Sequence, residues 1–215
     1  MTIMTQEFLE DLGVTSFEEA LEYAPNTSDF DAGLIDAPAG TNQRMNGGNR
    51  YSVRGFQTSS LSRDFFETSY KADMYNTERL TFSRGPNSIL FGIGNPGGVT
   101  NSTSKRARFG DVREISFRVD DNDSLRATFD FNKELIENKL AIRLAGLDSD
   151  QRTWQHPSFT NDERLYVALK LRPFSNSDNW LSDLEINANH EIGELDGVKA
   201  PRQEPAFDYV TPWIE

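Results

Sequence analysis

The sequence contains one pattern that could bind a phosphate group. Gly92, Gly94 and Gly97 have the G-x-G-x-x-G spacing, with which dinucleotide-binding proteins bring backbone N–H groups close to a pyrophosphate at the start of a helix. Here Pro96 lies inside the pattern, and residues 99–103 favour a strand or a turn over a helix. We therefore interpret these glycines as turn residues and do not expect a nucleotide site.

Side chains that could hold a metal ion are few and poorly spaced. The chain has no cysteine and two histidines, His156 and His190, and neither has a carboxylate at ligand spacing. Asp120, Asp121 and Asp123 imitate part of a calcium loop, but the glycine and glutamate that such a loop needs are missing, so a hairpin turn is the better interpretation. No serine lies in a nucleophile elbow. The sequence predicts no metal site, no cofactor and no catalytic constellation, so we do not expect an enzyme.

The composition indicates a folded chain rich in β-structure. Of the 215 residues only 36% are hydrophobic, yet the chain has 15 Phe, 3 Trp and 6 Tyr, which is too many aromatic residues for a disordered protein. Outer-membrane β-barrels combine these properties because only alternate residues of each strand face lipid. The net charge of −12 argues against a nucleic acid partner, which requires a basic surface.

Residues 78–105 predict two strands joined by tight turns. Leu80 and Phe82 alternate with polar neighbours, as in a short half-buried strand. The pieces that follow are a turn at 84–87, an apolar run at 88–91, a glycine-rich turn at 92–98 and a second strand from 99 onward. We expect the adjacent Gly97 and Gly98 to adopt a positive φ, which other residues rarely tolerate.

This segment resembles the plug-domain signature of the TonB-dependent outer-membrane transporters. That signature has an acidic strand residue, then Arg-Gly-Pro, an apolar run ending in an aromatic residue and glycine, and finally Gly-Gly-Val, Asn and Lys. The matching residues are Glu78, Arg84, Gly85, Pro86, Phe91, Gly92, Gly97, Gly98, Val99, Asn101 and Lys105. Upstream, Arg54 and Gly55 in YSVRGF are similar to a second hallmark, an Arg-Gly-Phe strand end. Two motifs in the expected order make the resemblance specific.

The resemblance implies an α+β plug domain over residues 1–107, followed over residues 108–215 by antiparallel β-strands of an incomplete transmembrane β-barrel. It implies a receptor of the cell outer membrane that takes up a scarce ligand, most often a ferric siderophore, with energy supplied by TonB. Arg54 and Arg84 resemble plug arginines that can pair with carboxylates of the barrel wall, and a guanidinium suits such pairing. Alternatively, both are ordinary surface arginines beside turns.

The first 25 residues predict a short strand, Thr2–Met4, and two short helices. The first helix covers Gln6–Leu12, and the second begins at Ser16, where Glu19 completes a capping box. The apolar side of the first helix consists of Phe8, Leu9 and Leu12, and that of the second consists of Phe17, Ala20, Leu21 and Ala24. Residues 26–49 and 57–76 predict loops, which serve either as linkers or as a plug apex that touches ligand.

From Val112 onward the sequence alternates apolar and polar residues. The alternation predicts five strands, at 112–120, 125–132, 139–145, 165–172 and 184–189. We assign the apolar phase, with Phe129 and Leu169, to outer-membrane lipid, and the other phase, with Thr128 and Ala168, to the barrel lumen. The polar stretch around Trp154 is expected to form a long extracellular loop.

Alternation by itself fits a soluble sandwich as well as a barrel. The alternative function is therefore a secreted or surface β-rich module that binds a glycan or a protein without transport. The plug resemblance favours the barrel. Such barrels close with about 22 strands, and neither an export signal nor a TonB box is found here, so we expect the chain to be an internal fragment of a longer receptor.

Overall fold

The computed structural model describes residues 2–25, 27–29, 51–53, 56–57, 61–68, 70, 72–83, 98–154, 156–174 and 183–198. These residues form a mixed five-stranded sheet with two helices, a small three-stranded sheet, and an antiparallel five-stranded sheet. Among the described residues, no helix is long enough and apolar enough to cross a membrane.

The mixed sheet has the strand order β1-β7-β8-β5-β6 and forms, with both helices, what we call the N-terminal unit. Its elements are β1 (Thr2–Thr5), α1 (Gln6–Asp11), α2 (Phe17–Glu22), β5 (Ser62–Arg63), β6 (Phe66–Glu67), β7 (Thr77–Ser83) and β8 (Val99–Ser104). The small sheet consists of β2 (Thr27–Asp29), β3 (Tyr51–Val53) and β4 (Phe56–Gln57). The predicted strand around Leu80 and Phe82 is β7, and both of these side chains are buried.

The second helix packs as its sequence predicts. Its four predicted apolar residues are all buried, and the ring of Phe17 stacks on that of Phe82 with 6.5 Å between centroids. The Ser16 hydroxyl accepts a hydrogen bond from the Glu19 amide at 3.2 Å, which is half of the predicted capping box. The other half is wrong by one residue, because the Glu19 carboxylate accepts from the Thr15 amide at 2.7 Å.

The first helix ends where expected but buries a different side. Gly13, with φ 68°, follows its last turn. Of the three predicted apolar residues only Leu9 is buried, whereas Phe8 is 44% and Leu12 is 37% exposed. Phe8 and Leu12 are four residues apart and share one stripe, and the core contacts the neighbouring stripe that carries Leu9. The prediction of a single apolar side was therefore wrong.

Part of the region predicted as a loop, 57–76, forms a hairpin. Strands β5 and β6 pair with Arg63 opposite Phe66, and the two residues between them, Asp64 and Phe65, have φ values of 48° and 71°. Positive φ at both central positions is the geometry of a type I′ turn, which favours Asn-Gly or Asp-Gly. The sequence did not reveal this hairpin because a phenylalanine occupies the glycine position.

The second five-stranded sheet, which we call the C-terminal sheet, has the order β13-β12-β11-β10-β9 and is antiparallel throughout. Its strands are β9 (Val112–Val119), β10 (Leu125–Ile136), β11 (Leu140–Arg152), β12 (Phe159–Leu171) and β13 (Ile186–Val198). All five predicted strands are present, but the last four are longer than predicted, because pairing continues beyond the predicted stretches. The connection around Trp154 is consequently only 153–158, and the predicted long loop was wrong.

The two phases of the alternation lie on opposite faces of the C-terminal sheet. The inner face packs on the N-terminal unit and buries Ala168, whereas Leu169 on the outer face is exposed. Large exposed apolar side chains of the outer face are Ile115, Phe117, Val119, Leu125, Phe131, Leu144, Leu165, Leu169, Ile186 and Ile192. The separation of the phases is therefore confirmed, and their assignment to lipid and lumen stays a prediction.

Candidate functional site

The functional candidate is the contact that we call the junction. On one side of it lie the N-terminal unit and residues 105–110, and on the other side lies the inner face of the C-terminal sheet. The apolar part of the junction is small. It consists of Tyr75, Ala107, Ala141, Ala145, Leu147, Tyr166 and Ala168, with Phe109 packed against them. Alanine side chains on β11 and β12 let the N-terminal unit approach the sheet closely while they bury little apolar area. Polar contacts must therefore provide most of the specificity.

The strand register places two carboxylates in one row of the inner face. Asp130 on β10 lies opposite Ala145, Ala145 lies opposite Tyr166, and Tyr166 lies opposite Glu191 on β13. Three strand spacings separate Asp130 from Glu191, which is about 14 Å. Each carboxylate meets a cation of the N-terminal unit or of the segment that follows it.

Asp130 is the most buried ion-pairing centre of the junction. It accepts hydrogen bonds from Lys105 Nζ at 2.7 Å and from Arg143 Nε and Nη2 at 2.8 and 2.6 Å. The three side chains are only 5%, 5% and 4% exposed. Arg143 also donates to the carbonyl of Arg106 at 3.2 Å. One carboxylate is therefore the shared partner of two buried cations, and the loss of Asp130 would leave both cations without a counter-charge.

Two further side chains of the inner face, Tyr166 and Asn132, bind the backbone of residues 105–110. The Tyr166 hydroxyl donates to the Lys105 carbonyl at 2.7 Å. The amide of Asn132 donates to the carbonyls of Arg108 and Gly110 at 2.7 and 2.5 Å, and its oxygen accepts from the Arg108 amide at 3.0 Å. The segment that leads into β9 is thus fixed to β10 and β12 by side chains that are themselves buried.

Glu191 joins β13 to the N-terminal unit. It forms an ion pair with Arg63 and accepts hydrogen bonds from the Tyr75 hydroxyl at 2.6 Å and the Asn76 amide at 2.9 Å. Burial by itself would lower the pKa of Arg63, but the charge of Glu191 and the hydrogen bonds to Glu191 and Tyr70 together outweigh burial and raise the pKa. Burial, and then the hydrogen bond to Glu191, raise the pKa of Tyr75. At neutral pH, Arg63 is therefore charged and Tyr75 remains a donor.

A third ion pair has the opposite polarity. The carboxylate of Asp73, in the N-terminal unit, accepts hydrogen bonds from both terminal nitrogens of Arg126 on β10, at 2.8 and 2.7 Å. Both side chains are 12% exposed. The Tyr75 amide donates to the same carboxylate at 2.8 Å. Nearby, Arg118 of β9 donates to the Gly13 carbonyl at 2.7 Å, just after α1. Bidentate pairing of this kind fixes orientation as well as distance.

This arrangement can hold two bodies in one orientation without a large apolar contact. Charge-assisted hydrogen bonds are strong while they are formed, but desolvation offsets much of their net contribution. Water can replace them when the bodies separate, whereas exposure of a large apolar surface would cost free energy in proportion to its area. The junction therefore has the chemistry of a specific contact that can separate.

The sequence-predicted site residues lie only partly within the described chain. Glu78 is exposed on β7, and Asn101 is buried on β8, where its side-chain oxygen accepts from the Phe65 amide at 2.7 Å. Gly98 has φ 126°, the positive value that was predicted. The remaining predicted residues, Arg54, Gly55, Arg84, Gly85, Pro86, Gly92 and Gly97, lie outside the described residues.

Sequence reasoning missed most of the ion-pairing residues of the junction. Pairing with carboxylates of the sheet was expected of Arg54 and Arg84, and among the described residues it is made by Arg63 and Lys105. The sequence did contain one indication of the role of Asp130. Asp130 alternates with Phe129 and Phe131 along its strand, so its side chain lies on the polar face. Glu191 escaped notice because the predicted strand ended at residue 189, two residues before Glu191, whereas β13 continues to Val198.

The aspartates at 120–123 form the predicted hairpin turn. The Asp120 carboxylate accepts from the amides of Asn122 and Ser124 at 2.9 and 3.0 Å, and Asp123 has φ 61°. The hydrogen bonds from Ser124 hold the pKa of Asp120 below its ordinary value. Within the described part of the chain, no group of three or more His, Asp or Glu side chains could hold a metal ion.

Comparison with known proteins assigns a family to this architecture. Residues 1–99 match the family model of the TonB-dependent Receptor Plug Domain. Residues 1–99 are therefore a plug domain of the TonB-dependent receptor family, and the antiparallel strands that follow resemble the receptor barrel, here as an open sheet.

Individual relatives are receptors and transporters rather than enzymes. The chain is 28% identical over 169 residues to the ferrichrome outer membrane transporter/phage receptor of Escherichia coli K12, covering 74% of this chain and 21% of that protein. It is 31% identical over 150 residues to the probable TonB-dependent siderophore receptor PiuA of Acinetobacter baumannii, covering 68% and 19%. The fold matches that of P. aeruginosa FpvA bound to heterologous pyoverdines, with TM-score 0.70, 17% identity, and 90% and 25% coverage. The chain thus spans about a fifth of the length of the relatives it matches.

Proposed function

We propose that the complete protein is a receptor of the bacterial outer membrane that imports a ferric siderophore with energy supplied by TonB. In this proposal residues 1–107 are the plug domain and residues 108–215 are the N-terminal part of the barrel. The junction carries the proposal, because a plug that must move during transport needs a contact that is specific and yet separable. The names of the relatives support the choice of ligand, since they are ferrichrome, ferrioxamine and catecholate siderophore receptors.

The outer face of the C-terminal sheet supports the membrane location. Its exposed apolar side chains, such as Phe117 at 74% exposure, continue across neighbouring strands. A water-soluble protein rarely leaves such a continuous apolar surface uncovered, whereas alternation of apolar-out and polar-in is the pattern of a barrel strand in lipid. We therefore assign outer-membrane lipid as the partner of this face.

In the resting receptor the junction holds the plug in register with the wall. Arg63 and Lys105 bind carboxylates of the wall, and Asp73 binds a wall arginine, so movement of the plug exchanges these partners for water. We further propose that the plug-signature residues shape the turns and gate of the plug rather than contact reacting atoms. These residues are Arg54, Gly55, Glu78, Arg84, Gly85, Pro86, Gly92, Gly97, Gly98 and Asn101.

Uptake of radioactive iron by the full-length receptor tests the proposal. The receptor would be expressed in a Gram-negative strain that lacks its own siderophore receptors and would be offered ferrichrome, ferrioxamine B and a ferric catecholate. We expect uptake of at least one complex, and loss of that uptake when TonB is deleted. A receptor that fractionates with the outer membrane but imports none of the three would refute the choice of ligand. A water-soluble product that binds glycan or protein would instead support the non-transporting binding module.

A further inference from the structure

Two buried hydroxyl groups beside the junction lack a hydrogen-bond partner among the described residues. They are Ser149 Oγ on β11 and Thr68 Oγ1 in the N-terminal unit. Ser149 is 3% and Thr68 is 7% exposed. A buried polar group without a partner is unfavourable and uncommon in folded proteins. Each hydroxyl therefore requires an explanation from its surroundings.

Both Ser149 and Thr68 line a cavity of about the size of one water molecule. The cavity at Ser149 has a volume of about 10 Å³ and is also lined by Asp73, Arg126, Thr160 and Asp162. The cavity at Thr68 likewise has a volume of about 10 Å³ and is also lined by Asp73, Asn76, Ser102 and Arg164. This volume is close to the minimum of about 10–15 Å³ that admits a single water molecule. Two unpartnered hydroxyls and two such cavities thus coincide.

We infer that each cavity is the binding site of one ordered water molecule. A water molecule needs two to four polar partners, and hydroxyl, amide and carboxylate groups line both cavities. An ion is a poor occupant because the charges are already balanced: Asp73 pairs with Arg126, and Asp162 pairs with Arg164 at 2.5 Å. An apolar occupant would leave the hydroxyls unsatisfied.

Both water sites lie beside Asp73, which pairs with Arg126, because Asp73 lines both cavities. Asp73 therefore keeps water beside it even while it is paired with the C-terminal sheet. Separation of this pair then begins from a partly hydrated state, which lowers the desolvation difference between the joined and separated forms. This consequence rests on the proposed function, whereas the two water sites do not. A failed iron-uptake experiment would leave them standing.

A structure of the full-length receptor, at a resolution that orders internal water, tests the sites directly. We expect one density peak in each cavity, about 2.5–3.0 Å from the hydroxyl oxygen. The Ser149→Ala variant should lose the peak at β11 and keep the one at Thr68, and Thr68→Val should do the reverse. A hydroxyl that instead bonds to a protein group, with no peak in its cavity, overturns the inference for that cavity.

Thermal unfolding gives an independent test with opposite signs. If water satisfies the hydroxyl, Ser149→Ala removes a partner from that water and lowers the midpoint temperature. If the hydroxyl has no partner, the same change removes an unsatisfied group and raises the midpoint or leaves it unchanged. Thr68→Val follows the same logic. Ser116→Ala is the control, because its hydroxyl pairs with Thr128 at 2.8 Å in an exposed position, and we expect its midpoint to remain near that of the parent.

Discussion

Asp130 should be far more important for stability than Lys105, although the two form one ion pair. Asp130 pairs with both Lys105 and Arg143 through three hydrogen bonds of 2.6–2.8 Å. Asp130→Asn leaves two buried cations facing a neutral amide. Lys105→Met leaves the pair of Asp130 and Arg143 intact and electrically neutral, and it keeps most of the side-chain volume. The two variants therefore differ in the charge that remains buried.

The expected magnitudes follow from the burial of the three side chains. Removal of one partner from a buried ion pair costs roughly 3–5 kcal/mol, since an uncompensated charge remains. We expect a cost in this range for Asp130→Asn. Lys105→Met leaves the neutral pair of Asp130 and Arg143, so no uncompensated charge remains, and we expect the cost of the lost hydrogen bond alone, about 1 kcal/mol. The double variant should be more stable than Asp130→Asn, because it contains one unpaired cation fewer.

Chemical unfolding of the full-length receptor in detergent micelles measures these differences, and the exposed pair of Asp111 and Arg113 provides the matched control. Its side chains are 50% and 72% exposed, so Asp111→Asn should cost less than about 1 kcal/mol. The reasoning fails if Lys105→Met is as destabilising as Asp130→Asn. It also fails if Asp130→Asn costs no more than the exposed control.

Three further outcomes are expected. Phe65→Gly should be more stable than Phe65→Ala by about 1 kcal/mol in chemical unfolding, since φ is 71° there and only alanine keeps the left-handed cost; equal stabilities would contradict the turn geometry. A cysteine at Phe129 should react with a lipid-soluble probe in membranes and one at Thr128 should not, whereas equal water accessibility would refute the assignment of faces. Hydrogen bonds from Asn187, and then from Lys170 and an arginine, lower the pKa of Glu185 from 4.5 to about 2. The stability advantage of the receptor over Glu185→Gln should therefore persist above pH 4.5 and disappear as the pH falls towards 2; an advantage that is unchanged at pH 2 would contradict it.

Local patterns predicted the elements because local physics determines them. Alternation with period two placed the five strands of the C-terminal sheet, since each strand presents one face to the N-terminal unit. The apolar stripe of α2 and the positive φ of Gly98 were likewise readable from residue type and spacing. The ends of β10–β13 were not, because backbone pairing continues wherever a neighbouring strand is available, whatever the polarity of the side chains. The turn at residues 64–65 was not predicted, because Phe65 occupies a position at which glycine is usual.

The partners in the junction lay beyond such reasoning. Alternation shows that Asp130 faces inward. It does not show which cation contacts Asp130, because Lys105 is 25 residues away in the sequence. Lys105 was visible as part of the plug signature, yet its role depends on Arg143, which lies on another strand. Long-range pairing of this kind is decided by the relative position of two bodies, and no local sequence feature encodes it.

The signs of the charges in the junction themselves specify how the two bodies dock. The N-terminal unit and the segment after it present cations to the row of Asp130 and Glu191, but an anion, Asp73, to Arg126. Arg126 lies four residues from Asp130 along β10, which corresponds to about 13 Å. A shift along β10 by that distance would bring either Asp73 to Asp130 or Lys105 to Arg126, and a rotation that exchanged the two positions would bring both like-charged pairs together, so each of these contacts would be repulsive. If the N-terminal unit carried only cations and the inner face of the sheet only carboxylates, such a slip would bring no like charges together. The mixed polarity therefore favours one orientation of the N-terminal unit on the C-terminal sheet over the slipped and rotated ones.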